Sequence, residues 1–413
     1  MKIYIKILAT VFYICSFLNA QAIALTNGNE TKGENAGTVS ETYTVSSFSS
    51  NFTIILSIDT DNSTGTSGSD FSSSIIESYG TANDGRIPVT GNGAFNVSYT
   101  IIDDNVDEED ETLKILQTNT GGISSATKTV TITDNDDPPT MQFQASTAND
   151  DEDTGWYYVT VSLSHGSSRS TLPAYTISID GSSTATGAST DYNALNPTSY
   201  TFNSGATTDQ FSIYIQDDAL DENDETIVFE IASNNNSYAQ VSGNTTHTVT
   251  IADNDAPPTI GFNAAAANAT EGNSGTTAKT AQVDISVVSA KAISANYTVT
   301  GTSTKGGTDH NLANGSVSIS AGNTNNTIGW NVIGETLYEN NETIVITLSN
   351  PTNATLSSDV VHTYTITNDD TAPTIAFTGT AQSNNEATTS YDIGVTLSAA
   401  SGLDATMDYA VQG

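Results

Sequence analysis

Carboxylates recur along this chain in clusters whose composition and spacing suit one kind of chemistry, the binding of a hard cation. The first cluster follows an apolar run and reads Ile101-Ile102-Asp103-Asp104-Asn105-Val106-Asp107-Glu108-Glu109-Asp110-Glu111-Thr112. A second closes the next run as Thr131-Ile132-Thr133-Asp134-Asn135-Asp136-Asp137-Pro138-Pro139. Both return at Ile215-Gln216-Asp217-Asp218-Ala219-Leu220-Asp221-Glu222-Asn223-Asp224-Glu225-Thr226 and Thr250-Ile251-Ala252-Asp253-Asn254-Asp255-Ala256-Pro257-Pro258. A looser third copy runs Ile333-Gly334-Glu335-Thr336-Leu337-Tyr338-Glu339-Asn340-Asn341-Glu342-Thr343, then Thr365-Ile366-Thr367-Asn368-Asp369-Asp370. Calcium takes six to eight oxygen ligands at ~2.3–2.6 Å, from carboxylates, carbonyls and water. Asp218, Glu222 and Glu225 share one connection that can curl around an ion. Asp253 and Asp255 point the same way if the strand continues its alternation. Magnesium fits less well, because it uses few carboxylates and keeps its waters. Zinc is disfavoured: His165, His247, His310 and His362 are scattered without a ligand motif, and the single cysteine, Cys15, falls in the leader.

The elements that must position these groups are strands. Glu111, Glu225 and Glu342 stand 114 and 117 residues apart, a period long enough for tandem domains with their own cores rather than a short-repeat solenoid. Period-two runs such as Tyr157–Ser164, Phe211–Ile215 and Thr226–Ile231 are bounded by Gly, Asn, Asp and Ser turns. About seven such strands per repeat predict a two-sheet antiparallel sandwich. No stretch sustains a helical period. Residues 1–22 read as a secretory signal peptide, with Lys2 and Lys6 before an apolar run and Ala20-Gln21-Ala22 at the cleavage site. That leader implies a secreted or cell-surface protein. Repeats are expected at 23–137, 138–256 and 257–371, with a partial fourth at 372–413. The proline joints between them should stiffen the array into a semi-rigid rod.

Composition removes several classes of partner. A net charge of −37 at pH 7 opposes binding to nucleic acid and to anionic lipid, both of which need Lys and Arg. It is compatible with divalent metal. Catalysis has little support. Gly272-Asn273-Ser274-Gly275 superficially matches a nucleophile turn but has no histidine base in context. Trp156, Trp330 and the tyrosines read as core or sheet-face residues, and the histidines as surface or strand residues.

Taken in order, Glu-x-x-Gly, Gly-x-Asp-Tyr, Ile-x-Asp-Asp-x-x-x-Glu-x-x-Glu-Thr and a terminal Thr-Ile-x-Asp-x-Asp resemble the Calx-beta domain, the calcium-binding sandwich module of sodium–calcium exchangers and many bacterial surface proteins. Repeat two matches best, with Glu152-Asp153-Thr154-Gly155 and Gly187-Ala188-Ser189-Thr190-Asp191-Tyr192 before its two clusters. The resemblance implies an immunoglobulin-like all-β fold and a calcium site at one end of each sandwich. Its implied ligands in repeat one are Glu34 (or Glu30), Asp70, Asp104, Glu108, Glu111, Asp134 and Asp136. In repeat two they are Glu152, Asp191, Asp218, Glu222, Glu225, Asp253 and Asp255. In repeat three they are Glu271, Asp309, Glu335, Glu339, Glu342, Asp369 and Asp370. Repeat three departs from the pattern at Gly334, Asn368 and His310, which suggests a weaker site.

A cadherin-like adhesin is a rival, since Asp134-Asn135-Asp136-Asp137-Pro138 resembles a cadherin linker, but Gly-x-Asp-Tyr favours Calx-beta. The expected function is a calcium-rigidified surface stalk or adhesion module, with another surface protein or a glycan as partner. The alternative is a calcium-sensing module that regulates an attached membrane or enzymatic unit. Near-millimolar sites suit the first and micromolar sites the second.

Overall fold

A computed structural model describes residues 22–25, 28–46, 52–59, 63–65, 70–72, 76–77, 86–89, 91–120, 126–187, 189–304 and 308–412. The expected leader, Cys15 included, lies almost wholly outside them. The described chain is all-β apart from two single-turn 3-10 segments, and it contains three sandwiches followed by a two-stranded hairpin. By internal contacts it divides into two compact units, 1–148 with 156–214 and 226–249, and 149–155 with 215–225 and 250–413.

In the first sandwich one sheet runs, in spatial order, through Ala22–Leu25, Thr38–Ser46, Gly93–Thr100 and Ile76–Glu77. The facing sheet runs through Glu30–Gly33, Ala126–Thr133, Glu111–Asn119, Phe52–Ile58 and Arg86–Val89. Alternation makes the core: Val97, Tyr99, Val130 and Ile132 point inward between half-buried or exposed neighbours, and meet Tyr43, Leu56, Leu113 and Ile115. The second and third sandwiches repeat the four-plus-five plan. In the third, Trp330 lies buried and edge-on to Tyr364, with ring centroids 5.3 Å apart. Trp156 is a sheet-face residue, 57% exposed.

Among the described residues nine strands rather than about seven make each sandwich, and pairing is not purely antiparallel. The strand entering the fold lies parallel to the closing strand, with Glu30–Gly33 in register with Val130–Thr133 and Ala266–Thr270 with Thr363–Thr367. Both strands run toward the same end, so whatever follows each of them arrives side by side. These entering strands are too short and polar to announce themselves by alternation. The fourth repeat is a hairpin, Ile375–Phe377 against Val395–Leu397, with Phe377, Val395, Tyr409 and Val411 exposed. Among the described residues of this partial repeat, 391–394 and 409–411 form no strand.

One inward position on the closing strand is polar in every sandwich. Lys128 in the first corresponds to His247 and His362 in the next two, and all three are buried. Lys128 Nζ lies 2.7 Å from Glu41 and 2.8 Å from Glu30. Burial opposes ionisation of Glu30, but hydrogen bonds with Glu41, Lys128, Lys32 and Tyr99 hold its pKa at about 2. His247 bonds the Ala145 carbonyl and the Tyr157 hydroxyl, each at 2.8 Å. The expectation of surface or strand histidines therefore sharpens: His247 and His362 are strand residues turned into the core, and His310 is buried as well. Breaking a buried ion pair strands its partner charge, so Lys128→Met should cost the first sandwich about 3 kcal/mol. Denaturant unfolding should show that loss, and much of it should return in the Lys128→Met/Glu41→Met double variant.

Candidate metal centre

The parallel register places the first ligand group. Glu34 follows Gly33 directly, Asp134 follows Thr133 directly, and Gly33 pairs with Thr133. Carboxylate oxygens of Glu34, Asp134 and Asp136 consequently lie within 4.8 Å of one another. A single 3-10 turn, Glu34–Ala36, tucks the Glu34 side chain inward and is closed by Gly37 at φ 60°, a conformation that only glycine adopts without strain. The Glu-x-x-Gly signature has this geometric meaning, and Glu152–Thr154 with Gly155 at φ 74° repeats it. Glu152, Asp253 and Asp255 form the corresponding group. Glu30, the alternative first ligand, belongs instead to the Lys128 ion pairs.

A second group gathers Asp70, Glu108 and Glu111 in the first sandwich, and Asp191, Glu222 and Glu225 hold the matching positions in the sequence of the second repeat. Six of the seven carboxylates expected as ligands in the first repeat thus fall into two groups of three. Asp104 and Asp218 turn back to accept the backbone amides of Val106 and Leu220, both at 2.7 Å, and so stiffen the loop that carries the remaining ligands.

The third sandwich assembles its first group from Glu271, Glu335 and Asp370. Asn368 occupies the place of Asp134, and Glu335, one methylene longer than the Asp104 it replaces, supplies the third carboxylate. Asp369 aligns with Asn135, is exposed, and accepts the Gly272 amide at 3.2 Å. Glu335 and Asp370, both expected as ligands, are thus brought together with Glu271, and Asp369 is not part of that group. Desolvation first, then neighbouring carboxylates that include Asp309, raise the pKa values of Glu339 and Glu342.

The electrostatics are those of like charges buried together. Desolvation first, then Asp104, Glu108, Asp134 and Asp136, push Glu34 up to about 7. Desolvation, with Asp70 and Glu108 beside it, pushes Glu111 up to about 8. Glu152, Glu271 and Glu342 rise to about 7, led in each case by desolvation. One oxygen each of Glu34, Asp136, Asp255, Glu335 and Asp370 is buried with no hydrogen-bond partner. Leaving a buried acceptor unsatisfied is costly. Carboxylates converging in threes, with an unpartnered oxygen in some of the groups, fit calcium, with backbone and water oxygens completing the shell.

Sequence reasoning missed Asp107 and Asp221, which are almost wholly buried within their acidic clusters, and their cationic partners Arg169 and Lys291. Only the scarcity of cations in so acidic a chain could have drawn attention to those two.

The Calx-beta domain model matches residues 23–136, 134–255 and 253–371, and the chain belongs to that family of calcium-binding modules. Among solved structures it is similar to CBD12 from CALX1.2, at 19% identity over 54% of this chain and 82% of that one, with a TM-score of 0.26. It is also similar to the apo-form Calx CBD1 domain, at 21% identity over 28% and 100% of the two chains, TM-score 0.26. The calcium binding domain CBD12 of CALX1.1 matches at 17% identity over 56% and 100%, TM-score 0.24. No curated protein sequence matches.

The raised carboxyls fix a pH dependence. A folded-state pKa above the unfolded value means that the native chain keeps a proton the unfolded chain has released. The resulting stabilisation is complete below about pH 4.5 and is lost as pH rises through about 7 to 8. In chelator, the melting temperature should therefore fall between pH 5 and 8. Calcium, which replaces those protons, should abolish most of the fall.

Proposed function

We propose that this chain is part of an exported, multi-domain, calcium-binding surface protein whose sandwiches act as a spacer or adhesive stalk ordered by the ion. The observation that carries the proposal is the set of buried, unpartnered carboxylate oxygens at matching positions in successive repeats. Among the described residues, no cationic side chain of the same sandwich bonds these oxygens, so an external cation would contribute its binding free energy to folding. The leader-like 1–22 supports export, and the domain family supports calcium as the ion. A surface protein or a glycan would be the adhesive partner.

Thermal melting tests this on the full chain. Calcium at a hundredfold excess over its Kd should stabilise a one-site domain by about 2.7 kcal/mol. Glu34→Gln combined with Asp136→Asn should delete the first sandwich's share of that gain. In chelator the same variant should match or exceed the parent, because two mutually repelling groups are gone. Identical melting of the parent with calcium and with chelator would overturn the proposal.

A further inference from the structure

At successive joints, one turn of the following repeat reaches into the acidic end of the repeat before it, and two of these turns carry a cation. Arg169 Nε donates to Asp107 Oδ1 at 2.6 Å, and its terminal nitrogen donates to Asp134 Oδ2 at 3.0 Å. Ser167 Oγ donates to the other Asp107 oxygen at 2.9 Å, and the Ser168 amide bonds the Asp107 carbonyl at 3.0 Å. Ser168 Oγ also takes up one oxygen of Glu108, at 2.6 Å. The next joint repeats the pattern. Lys291 Nζ meets Asp221 at 2.8 Å and Asp253 at 3.2 Å, Ser289 Oγ meets Asp221 at 2.7 Å, and the Ala290 amide bonds the Asp221 carbonyl at 3.0 Å.

The third joint keeps the backbone dock and drops the charge. The Gly402 amide bonds the Tyr338 carbonyl at 3.0 Å, and Ser401 stands where Ser167 and Ser289 stand. Here Tyr338 replaces Asp107 and Asp221, Asn368 replaces Asp134 and Asp253, and Leu403 replaces Arg169 and Lys291. Three positions change together, in two separate repeats of one chain. Docking by itself therefore does not require the cation. Where the cation is present, one of its two partners is a carboxylate of the first ligand group, shared between Arg169 and the Glu34–Asp134–Asp136 cluster, or between Lys291 and the Glu152–Asp253–Asp255 cluster.

We infer that Arg169 and Lys291 are affinity-setting residues: each is a built-in counterion, supplied by the following repeat, that competes with the metal for Asp134 or Asp253. The inference rests on the metal reading of these clusters. With the ion absent, the cation relieves part of the carboxylate repulsion and keeps the joint docked. With the ion present, a positive charge sits one shared carboxylate away from a divalent cation. Even at the dielectric of bulk water, a unit charge ~6 Å from a doubly charged ion weakens its binding about tenfold. The first ligand group of the third sandwich carries no such penalty, so Asn368, which reads as a defect in a ligand list, belongs with the missing cation.

The test is calorimetric titration of the full chain with calcium chloride, alongside melting in chelator. Arg169→Gln with Lys291→Gln should tighten two site classes about tenfold or more while lowering the melting temperature in chelator. A residue that only held the joint together would instead weaken or leave unchanged the calcium affinity when removed, and that result would overturn the inference. Because either loss could disturb the buried Asp107 or Asp221, a gain variant provides the converse. Tyr338→Asp, Asn368→Asp and Leu403→Lys together should install the charge at the third joint and weaken calcium binding there, unless the inference is wrong. Calcium binding to the parent that the variants leave unaltered would sink only the inference; no calcium binding to the parent would sink the metal reading beneath it.

Discussion

Mutual repulsion among carboxylates held out of water is the constraint on which the rest of this structure depends. A surface run of Asp and Glu solves that problem by spreading into solvent, and would say little about function. Here the backbone forbids the solution. Glu34, Asp70, Glu152, Glu271 and Asp309 are all buried, and several of the oxygens around them bond to nothing. The fold can tolerate this arrangement in three ways: by keeping protons on the carboxyls, by admitting a cationic side chain, or by admitting a metal. All three leave marks. Glu34 and Glu111 are pushed up to about 7 and about 8, Arg169 and Lys291 reach Asp134 and Asp253, and carboxylates converge in threes.

The scaffold achieves this with very little. A parallel pairing of four or five residues at the sheet edge aligns two chain segments about a hundred residues apart, and a glycine-closed turn then drops a glutamate beside two aspartates. The antiparallel hairpin of the same sheet starts at Glu111 opposite Ile132, two residues before Asp134, so the second group opens at the same end. Ligands far apart in sequence are thus fixed by strand register, and the strands themselves are held by a core of alternating Val, Ile, Leu, Tyr and Phe.

How much of this was legible in the residues depended on whether a signal repeats. The clusters, the Glu-x-x-Gly turns and the strand alternation recur at a constant period, and from them the sandwich, the domain family and most of the carboxylates that gather in threes could be read. The entering strands could not, because Glu30–Gly33 is polar and short, and its partner is chosen by register rather than by local propensity. Nor could the gathering of these carboxylates into groups of three, the choice of Glu34 over Glu30, or the outward turn of Asp369. Each of these turns on which way a loop side chain faces, and spacing alone is silent on that. Lys128, His247 and His362 were obscured for a different reason. A polar residue in an alternating strand reads as outward-facing, and only tertiary partners such as Glu41, Tyr157 and the Ala145 carbonyl make it an inward one.

The central claim is that the acidic ends are ion sites rather than charged surface, and retention of metal tests it most directly. The full chain should be stripped with chelator, dialysed to equilibrium against calcium chloride in physiological salt, and its bound calcium counted by elemental analysis. The account predicts stoichiometric calcium, at least one ion for each Calx-beta domain, held with a defined affinity and displaced by chelator. Calcium no higher than in the surrounding buffer, or a loose excess that vanishes as salt is raised, would contradict it.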